Sequence, residues 1–465
     1  MSSIFEPAQT DDGRSYDLSA SSLVQSRDYL QGNPLTFIRL LCVGCLSCLV
    51  VDGGLEQLQM FATGGHIVIT GSVVKLGLMM LLGLAMLIQG KLRKPKAFLP
   101  LLLFAAYLTV DAIYLVFSRD LAVVDLLQSF NSYYGLLFVG AAAYVSAIGV
   151  SEKTLTRLLV VLFLACSLLA IAQSITNDPI VPVTNADGSF RVLGWSNSAH
   201  SRAFSVFRAP ALLGCFASFM AALGVALASK PEGRIKGWAL LLLGLTISYL
   251  TLVRTTFLQC AFAIVSAYVL CAFHSRSRRL LTQFMPYLWL VLGAATMAFA
   301  FWRAAAGGAD SSLTDTSSFT ARLFEWRFYL GQFSGASIGN KLFGMGLYQG
   351  SKTDSVSSIP IDNAFIAVLV HIGIVGLILM LPLLWQMLRA LNELAEETRS
   401  PLAIAAAATW SVIWLSGLFE VFTYYFAAIY LTVMIALPTS VEISPRHEDS
   451  GPFYDPTAVP GDLSE

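Results

Sequence analysis

Two arginines stand where this chain is expected to leave the membrane on one side. Arg208 lies two residues before Pro210, which is a good first residue for a helix, and Arg254 lies in a very short turn between two apolar runs. A guanidinium presents a rigid fork of N–H donors that matches phosphate oxygens two at a time. Both placements are consistent with binding a phosphate or pyrophosphate group, and also with arginines that snorkel to lipid headgroups.

A second chemical feature is the stretch DNAFIAVLVHIGIVGL, Asp362 to Leu377. Asp362 is predicted to be the N-cap of the helix that follows, and a carboxylate there can also hold or deprotonate a substrate hydroxyl. His371 lies nine residues further along, two and a half turns down the helix. We expect it to hydrogen-bond between helices rather than to act as a base.

The elements that position these residues are transmembrane helices. The chain has 465 residues, of which 56% are hydrophobic and 12% charged, too little polar surface for a soluble globule of this length. Whole segments of about 20 residues are apolar on all sides, the length that crosses the hydrocarbon of a bilayer. An all-α integral membrane protein with about 12 transmembrane helices is predicted, with spans at about 36–52, 67–90, 97–117, 131–150, 158–175, 209–229, 238–253, 256–273, 284–303, 363–388, 401–418 and 420–438.

Charge in the connections predicts the orientation. Basic clusters such as Lys91–Lys96, Lys153 with Arg157, and Lys230 with Arg234 all fall on one side, which the positive-inside rule makes cytoplasmic. Both ends of the chain are then cytoplasmic. The polar residues 1–35 form an N-terminal tail, 36–438 the membrane domain, and the acidic residues 439–465 a disordered tail.

Two outward loops are long, at 176–208 and 304–361, and the larger lies between the ninth and tenth spans. The length of the larger loop indicates function or further folded elements. Within the larger loop, residues 317–333 have the pattern of an interfacial helix. The outward loops are unusually rich in basic residues, which suggests an anionic ligand outside; these residues are Arg119, Arg191, Arg202, Arg208, Arg254, Arg303, Arg322, Arg327, Lys341 and Lys352.

Metal, nucleotide and disulfide chemistry have little support in the sequence. The spacing of Cys42, Cys45 and Cys48 on an apolar helix favours a stripe of small packing residues over a metal site. No nucleotide-binding loop and no outward metal pair is present in the sequence. We therefore expect no cofactor and no metal.

The second half of the chain resembles a known family. The runs ARLFEWRFYLGQF, KLFGMGLYQG and DNAFIAVLVHIGIVGL are similar, in order and spacing, to the signature region of the O-antigen polymerase and ligase superfamily. A weaker similarity extends to FRAPALLG and TLVRTTF, where Val253 replaces the small residue that often precedes the arginine. The matching positions are Arg322, Trp326, Gly344, Gly346, Asp362, Asn363, Phe365, Gly373 and Gly376.

The resemblance implies a glycosyltransferase of the bacterial inner membrane with its active site facing the periplasm. Its expected partner is an undecaprenyl-pyrophosphate-linked oligosaccharide, with a chain-length regulator and export machinery as further candidates and no nucleic acid. Ligases of the family usually have histidine before the asparagine, so Asp362 favours a repeat-unit polymerase of the Wzy type over a ligase to lipid A core. Such a polymerase would make a surface polysaccharide or exopolysaccharide.

The chemistry of such a transfer assigns roles to the residues. Cations must stabilise the departing pyrophosphate, and a base must orient the acceptor hydroxyl. The catalytic candidates are Asp362, Arg322 and Arg254, and the substrate-binding candidates are Arg208, Arg191, Arg327, Asn363 and Trp326. Arg322 and Arg327 diverge by about 140° on one helix, so only one of them is expected to face the substrate.

A transporter or flippase of lipid-linked saccharides is the alternative from another class. About twelve spans with both ends inside suit it equally well. Transporters usually have two similar halves, and here the largest loop has no counterpart in the first half of the chain.

Overall fold

The structure is a computed structural model, and it describes residues 53–63, 98–119, 152–183, 201–272, 317–345 and 363–412, with shorter pieces between 44 and 51, 73 and 80, and 283 and 298. The regular elements in these residues are helices, as predicted. In chain order they are α1 (Gly54–Thr63), α2 (Phe98–Arg119), α3 (Glu152–Thr176), α4 (Pro210–Ala228), α5 (Arg234–Leu250), α6 (Arg254–Ala272), α7 (Ser317–Gly335), α8 (Ile338–Phe343), α9 (Ala364–Thr398) and α10 (Pro401–Ser411).

Helix α4 forms the centre of the bundle. It packs against α3, α5, α6 and α10, and nearly every side chain from Pro210 to Ala226 is buried. A helix that is apolar on all sides can be covered by protein all round. Exposed large apolar side chains lie instead on the surrounding helices, including Val161 and Leu168 on α3, Leu242 on α5 and Tyr268 on α6. The bundle therefore has a protein-covered centre and an apolar exterior suited to lipid.

Small residues bring α4 and α5 into close contact. The two helices form an antiparallel hairpin through the turn at Pro231–Gly233. A Cβ atom on Gly224 would lie 2.6 Å from the backbone nitrogen of Leu241, and one on Gly244 would lie 2.8 Å from the Cβ of Ala221. Close backbone approach through glycine and alanine is a common way for membrane helices to associate, because lipid provides no hydrophobic force between them.

Gly244→Ala is therefore expected to destabilise the bundle by about 1–3 kcal/mol, because the added methyl group must push α5 away from α4. The measurement is thermal unfolding of the purified protein in detergent. Gly331→Ala on α7 is the matched control, since a Cβ atom at Gly331 would have no neighbour within 4 Å. Equal melting temperatures for the two variants would contradict the close packing.

Four described helices are long and apolar enough to cross a membrane: α3, α4, α6 and α9. They coincide with predicted spans at 158–175, 209–229, 256–273 and 363–388, and α2 and α5 coincide with those at 97–117 and 238–253. The predicted spans at 131–150 and 420–438 lie outside the described residues. The helix predicted over 317–333 is present as α7.

Helix directions define two ends of the bundle. At the lower end, α3 begins beside the junction of α9 and α10, where the Ser400 hydroxyl donates to the Glu152 carboxylate at 2.5 Å. At the upper end, α3 and α5 end and α4 and α6 begin. Basic residues from three separate connections share the lower end: Lys153, Arg157, Lys230, Arg234, Lys236 and Arg399.

Helix α9 differs from its prediction as a regular span. It is broken at Gly373, whose backbone is not helical and has φ 70° and ψ −172°. The part of α9 before the break starts after its N-cap, Asn363, and the part after the break continues to the lower end of the bundle. The predicted span ended at 388, whereas the helix continues to Thr398, so its last turns extend beyond the apolar stretch.

Candidate functional site

One glutamine at the end of α3 organises the upper end. The Gln173 amide nitrogen donates to the carbonyl oxygens of Pro179 at 2.6 Å and Ser205 at 3.0 Å. Its amide oxygen accepts from the backbone nitrogens of Phe204 at 3.2 Å and Ser205 at 2.7 Å. A single buried side chain thus ties the segment after α3 to the segment before α4. Both segments belong to the loop predicted at 176–208, of which residues 184–200, with Arg191, lie outside the described residues.

The segment before α4 also rests on the end of α5. The backbone nitrogen of Ala203 donates to the Leu250 carbonyl at 3.1 Å. The second turn of α4 lies against the first turn of α6, since a Cβ atom on Gly214 would be 2.5 Å from the Thr256 hydroxyl. The starts of α4 and α6 are therefore side by side, and they bring the elements that carry Arg208 and Arg254 to one end of the bundle.

Buried hydroxyl groups fix the turn that precedes Arg254. The Thr251 hydroxyl donates to the Ser248 carbonyl, and the Thr256 hydroxyl donates to the Val253 carbonyl, each at 2.8 Å. Arg254 itself is exposed and is the first residue of α6, rather than a residue of the turn as predicted. A cation at this position adds to the positive end of the helix dipole, so the electrostatics favour an anion there.

Arg208 forms an ion pair with Glu56 of α1. Pro210 is the first residue of α4, as predicted, with Ala209 as its N-cap. The sequence left two alternatives open for Arg208: an anion could accompany it at this positive helix end, or its side chain could extend to lipid headgroups. The structure supplies an anion from the chain itself, and the Arg208 side chain still keeps 44% of its surface exposed.

Helix α1 was missed by sequence reasoning, which placed residues 53–66 in a short connection. Gly53, with φ 97°, brings the start of α1 against the segment before α4, because a Cβ atom there would lie 2.6 Å from the Val206 carbonyl oxygen. The Gln57 amide donates to the Pro182 carbonyl at 3.1 Å. The signal was present in the sequence as a Gly-Gly pair followed by an acidic residue in a first helical turn.

Asn363, and not Asp362, is the N-cap of α9. The Asn363 side-chain oxygen accepts from the backbone nitrogens of Phe365 and Ile366, each at 3.0 Å. The predicted capping role of Asp362 was therefore wrong by one residue, because the asparagine already satisfies these donors. Asp362 lies outside the described residues. Asn363 is buried and has a structural role as this cap.

The break in α9 is filled by the loop after α8. Gly344 crosses Gly373 so closely that a Cβ atom on Gly344 would be 2.2 Å from the His371 carbonyl oxygen. The Met345 backbone nitrogen donates to the Val370 carbonyl at 2.7 Å, and the Tyr107 hydroxyl on α2 lies 2.5 Å from the Ile372 carbonyl. Backbone groups released by the break are thus satisfied from two other elements. His371 is buried beside this crossing.

Helix α7 packs against α8 and α9 near the same crossing. Tyr329 of α7 shares a buried apolar cluster with Met345 and Val370. Arg322 is half-buried, Trp326 is buried and Arg327 is exposed. The two arginines thus differ in exposure. Trp326 is buried on α7, whereas both arginines keep part of their surface exposed.

The described residues contain no group of three or more histidine, cysteine, aspartate or glutamate side chains able to hold a metal ion. Within the described part of the chain the cysteines, among them Cys166, Cys215 and Cys260, are present as thiols. No protein-family model matches this chain, and no curated protein matches it.

Proposed function

We propose that the protein is a polymerase of lipid-linked oligosaccharide repeat units. It transfers a growing glycan from undecaprenyl pyrophosphate to a sugar hydroxyl of the next repeat unit, at the periplasmic face of a bacterial inner membrane. The proposal includes about twelve spans and a large outward loop between the ninth and tenth. Ligation of the glycan to lipid A core by the same chemistry is the closest alternative.

The observation that carries the proposal is the charge on the two ends of the bundle. Basic residues of the connections share the lower end, which the positive-inside rule assigns to the cytoplasm. The upper end nevertheless has the exposed Arg254 and the partly exposed Arg208, each beside the start of a helix. Arginine and helix dipoles together favour a phosphate-bearing ligand on the outer side.

The expected mechanism follows from the charge that develops during transfer. The bond between the donor sugar and its pyrophosphate breaks as the acceptor hydroxyl attacks, and the pyrophosphate departs with the bonding electrons. Arg254, Arg322 and Arg208 stabilise this leaving group, while Asp362 orients the hydroxyl and takes its proton. The buried packing of Trp326 and Tyr329 holds the helix that carries Arg322.

A second candidate function is the movement of a lipid-linked saccharide across the bilayer, because α9 is a discontinuous helix. Transporters often use discontinuous helices whose freed backbone groups contact the substrate. Here the Ile372 carbonyl lies close to the Tyr107 hydroxyl, and the Val370 carbonyl accepts from Met345. Since these freed groups are already satisfied within the protein, the break suits a fixed scaffold better than a substrate site.

Arg254→Ala, Arg322→Ala and Asp362→Ala are each expected to reduce polymerisation by a factor of about 10² or more, because each removes a group that acts on developing charge. The assay uses purified protein in nanodiscs with a lipid-pyrophosphate-linked oligosaccharide, and the products are resolved on a gel. Arg389→Ala at the lower end is the matched control, since Arg389 pairs with Glu393 on the exposed surface of α9.

The products distinguish the candidates. A ladder of repeat lengths that is lost in the three variants, and retained in Arg389→Ala, supports the polymerase. Transfer to lipid A core without a ladder identifies a ligase. Movement of the substrate across the bilayer without any glycan transfer would replace the enzyme with a transporter.

A further inference from the structure

The ion pair at the upper end is strongly asymmetric. The Glu56 side chain is only 3% exposed, whereas the Arg208 side chain is 44% exposed. The carboxylate is thus enclosed by protein while its partner reaches the surface. An enclosed ion pair is weak support for stability alone, because removing its charges from water offsets much of their attraction.

Glu56 is also fixed in position by its own helix. The start of α1 is seated on the segment before α4, where Gly53 lies against Val206 and a Cβ atom on Gly53 would be 3.1 Å from the Arg208 backbone nitrogen. On its other side α1 is tied to the segment after α3, through the bond from Gln57 to Pro182. The carboxylate therefore has a defined place relative to Arg208 and the start of α4.

We propose that Glu56 is a positioning residue for a pyrophosphate site at Arg208. The buried carboxylate holds the guanidinium, which stays partly exposed just before the start of α4, where the helix dipole also favours an anion. The choice of pyrophosphate as ligand rests on the proposed function. The role of Glu56 rests on the ion pair and on the docking of α1.

A guanidinium can serve both groups at once. It carries five N–H donors in a planar fork, so a carboxylate on one edge leaves the geometry of the other donors defined. Holding the side chain in place before the ligand arrives removes the entropy cost of ordering a long, flexible residue during binding. Without Glu56 the arginine would keep its charge but lose this preorganisation, and binding would weaken.

The test measures binding of inorganic pyrophosphate to the full-length protein in nanodiscs by isothermal titration calorimetry. Arg208→Gln is expected to weaken binding about tenfold or more, and Glu56→Ala to weaken it by a similar factor. The double variant Glu56→Ala/Arg208→Gln should bind no more weakly than Arg208→Gln, because Glu56 acts only through the arginine. Glu56→Gln should recover most of the affinity, because its amide oxygen still accepts from the guanidinium.

Folding is followed separately by the melting temperature of each variant. A merely structural role for Glu56 would lower the melting temperature of Glu56→Ala and leave pyrophosphate affinity unchanged, which would overturn the proposal. Glu56→Gln leaves Arg208 with a polar partner, and Arg208→Gln leaves Glu56 with one. These two variants therefore keep the test decisive if Glu56→Ala does not fold. Affinity in Glu56→Gln as low as in Arg208→Gln would also overturn it.

Failure of this inference is distinguishable from failure of the proposed function. Pyrophosphate binding that depends on Glu56, together with no glycan transfer by the wild-type protein, would leave the positioning role in place and remove the polymerase. A glycan ladder together with pyrophosphate binding that is insensitive to Glu56 would support the polymerase and remove the positioning role of Glu56.

Discussion

Gly373→Ala is expected to destabilise the protein by about 3–6 kcal/mol, enough to prevent normal folding of a marginally stable domain. The backbone of Gly373, with φ 70° and ψ −172°, lies in a region that only glycine adopts readily. A Cβ atom there would also be 2.3 Å from the Leu342 carbonyl oxygen and 2.4 Å from the Gly344 nitrogen. Strain and overlap therefore act together, and neither neighbour is a flexible side-chain end.

Gly344→Ala is expected to have an effect of the same size, because Gly344 is the other half of the crossing and has φ 84° and ψ 171°. The measurement is the fraction of monodisperse protein after heating, followed by fluorescence-detected size exclusion. Gly339→Ala is the matched control on the neighbouring helix α8, where a Cβ atom would come no closer than 4.0 Å to the Ser337 hydroxyl. A Gly373→Ala protein as stable as this control would mean that the crossing does not exist in solution.

Gln173→Leu is expected to cost about 3 kcal/mol or more, the second largest effect. The Gln173 amide makes hydrogen bonds to four backbone groups, of Pro179, Phe204 and Ser205, in a buried site. Leucine fills a similar volume but leaves these groups without the amide, and each unsatisfied buried polar group costs about 1–3 kcal/mol. The segment before α4 should then detach from α3, and Arg208 should lose its position together with this segment.

Gln259→Leu provides a sharp contrast with the same change of side chain. Gln259 is also buried, but its amide nitrogen has no hydrogen-bond partner among the described residues, and its amide oxygen accepts only from the Cys215 thiol at 3.4 Å. Replacement of such a group by an apolar one of similar shape is nearly neutral. Thermal unfolding of the two variants side by side tests the account, which fails if Gln259→Leu is the more damaging.

Much of the fold was predictable from the sequence. Apolar runs of membrane-spanning length predicted both ends of α4 and α6 and the end of α3 closely, because the bilayer fixes both the length and the composition of such helices, whereas α3 begins at Glu152, before its predicted start at 158. The start of α4 at Pro210 and the helix over 317–333 were predicted from local signals as well. A local sequence pattern is sufficient to predict a helix that does not depend on contacts with distant segments.

The site was less predictable, because its contacts join distant segments. Glu56 and Arg208 are 152 residues apart, and no periodicity links an acid in a short connection to an arginine before a helix. The resemblance singled out Gly344 and Gly373 separately, but only the structure brings these glycines together. The N-cap of α9 was displaced by one residue because Asp362 and Asn363 are equally good caps by type.

The central position of α4 has a consequence for the biogenesis of the protein. In the finished bundle this helix is surrounded by protein, so most of its surface never meets an acyl chain. During synthesis, however, α4 reaches the translocon before α5, α6 and α10 have been made, and insertion at that stage depends on its own apolarity. The apolar character of α4 thus favours its entry into the bilayer, while its glycines and alanines allow the later close packing. A polar substitution in α4 would therefore first reduce membrane insertion.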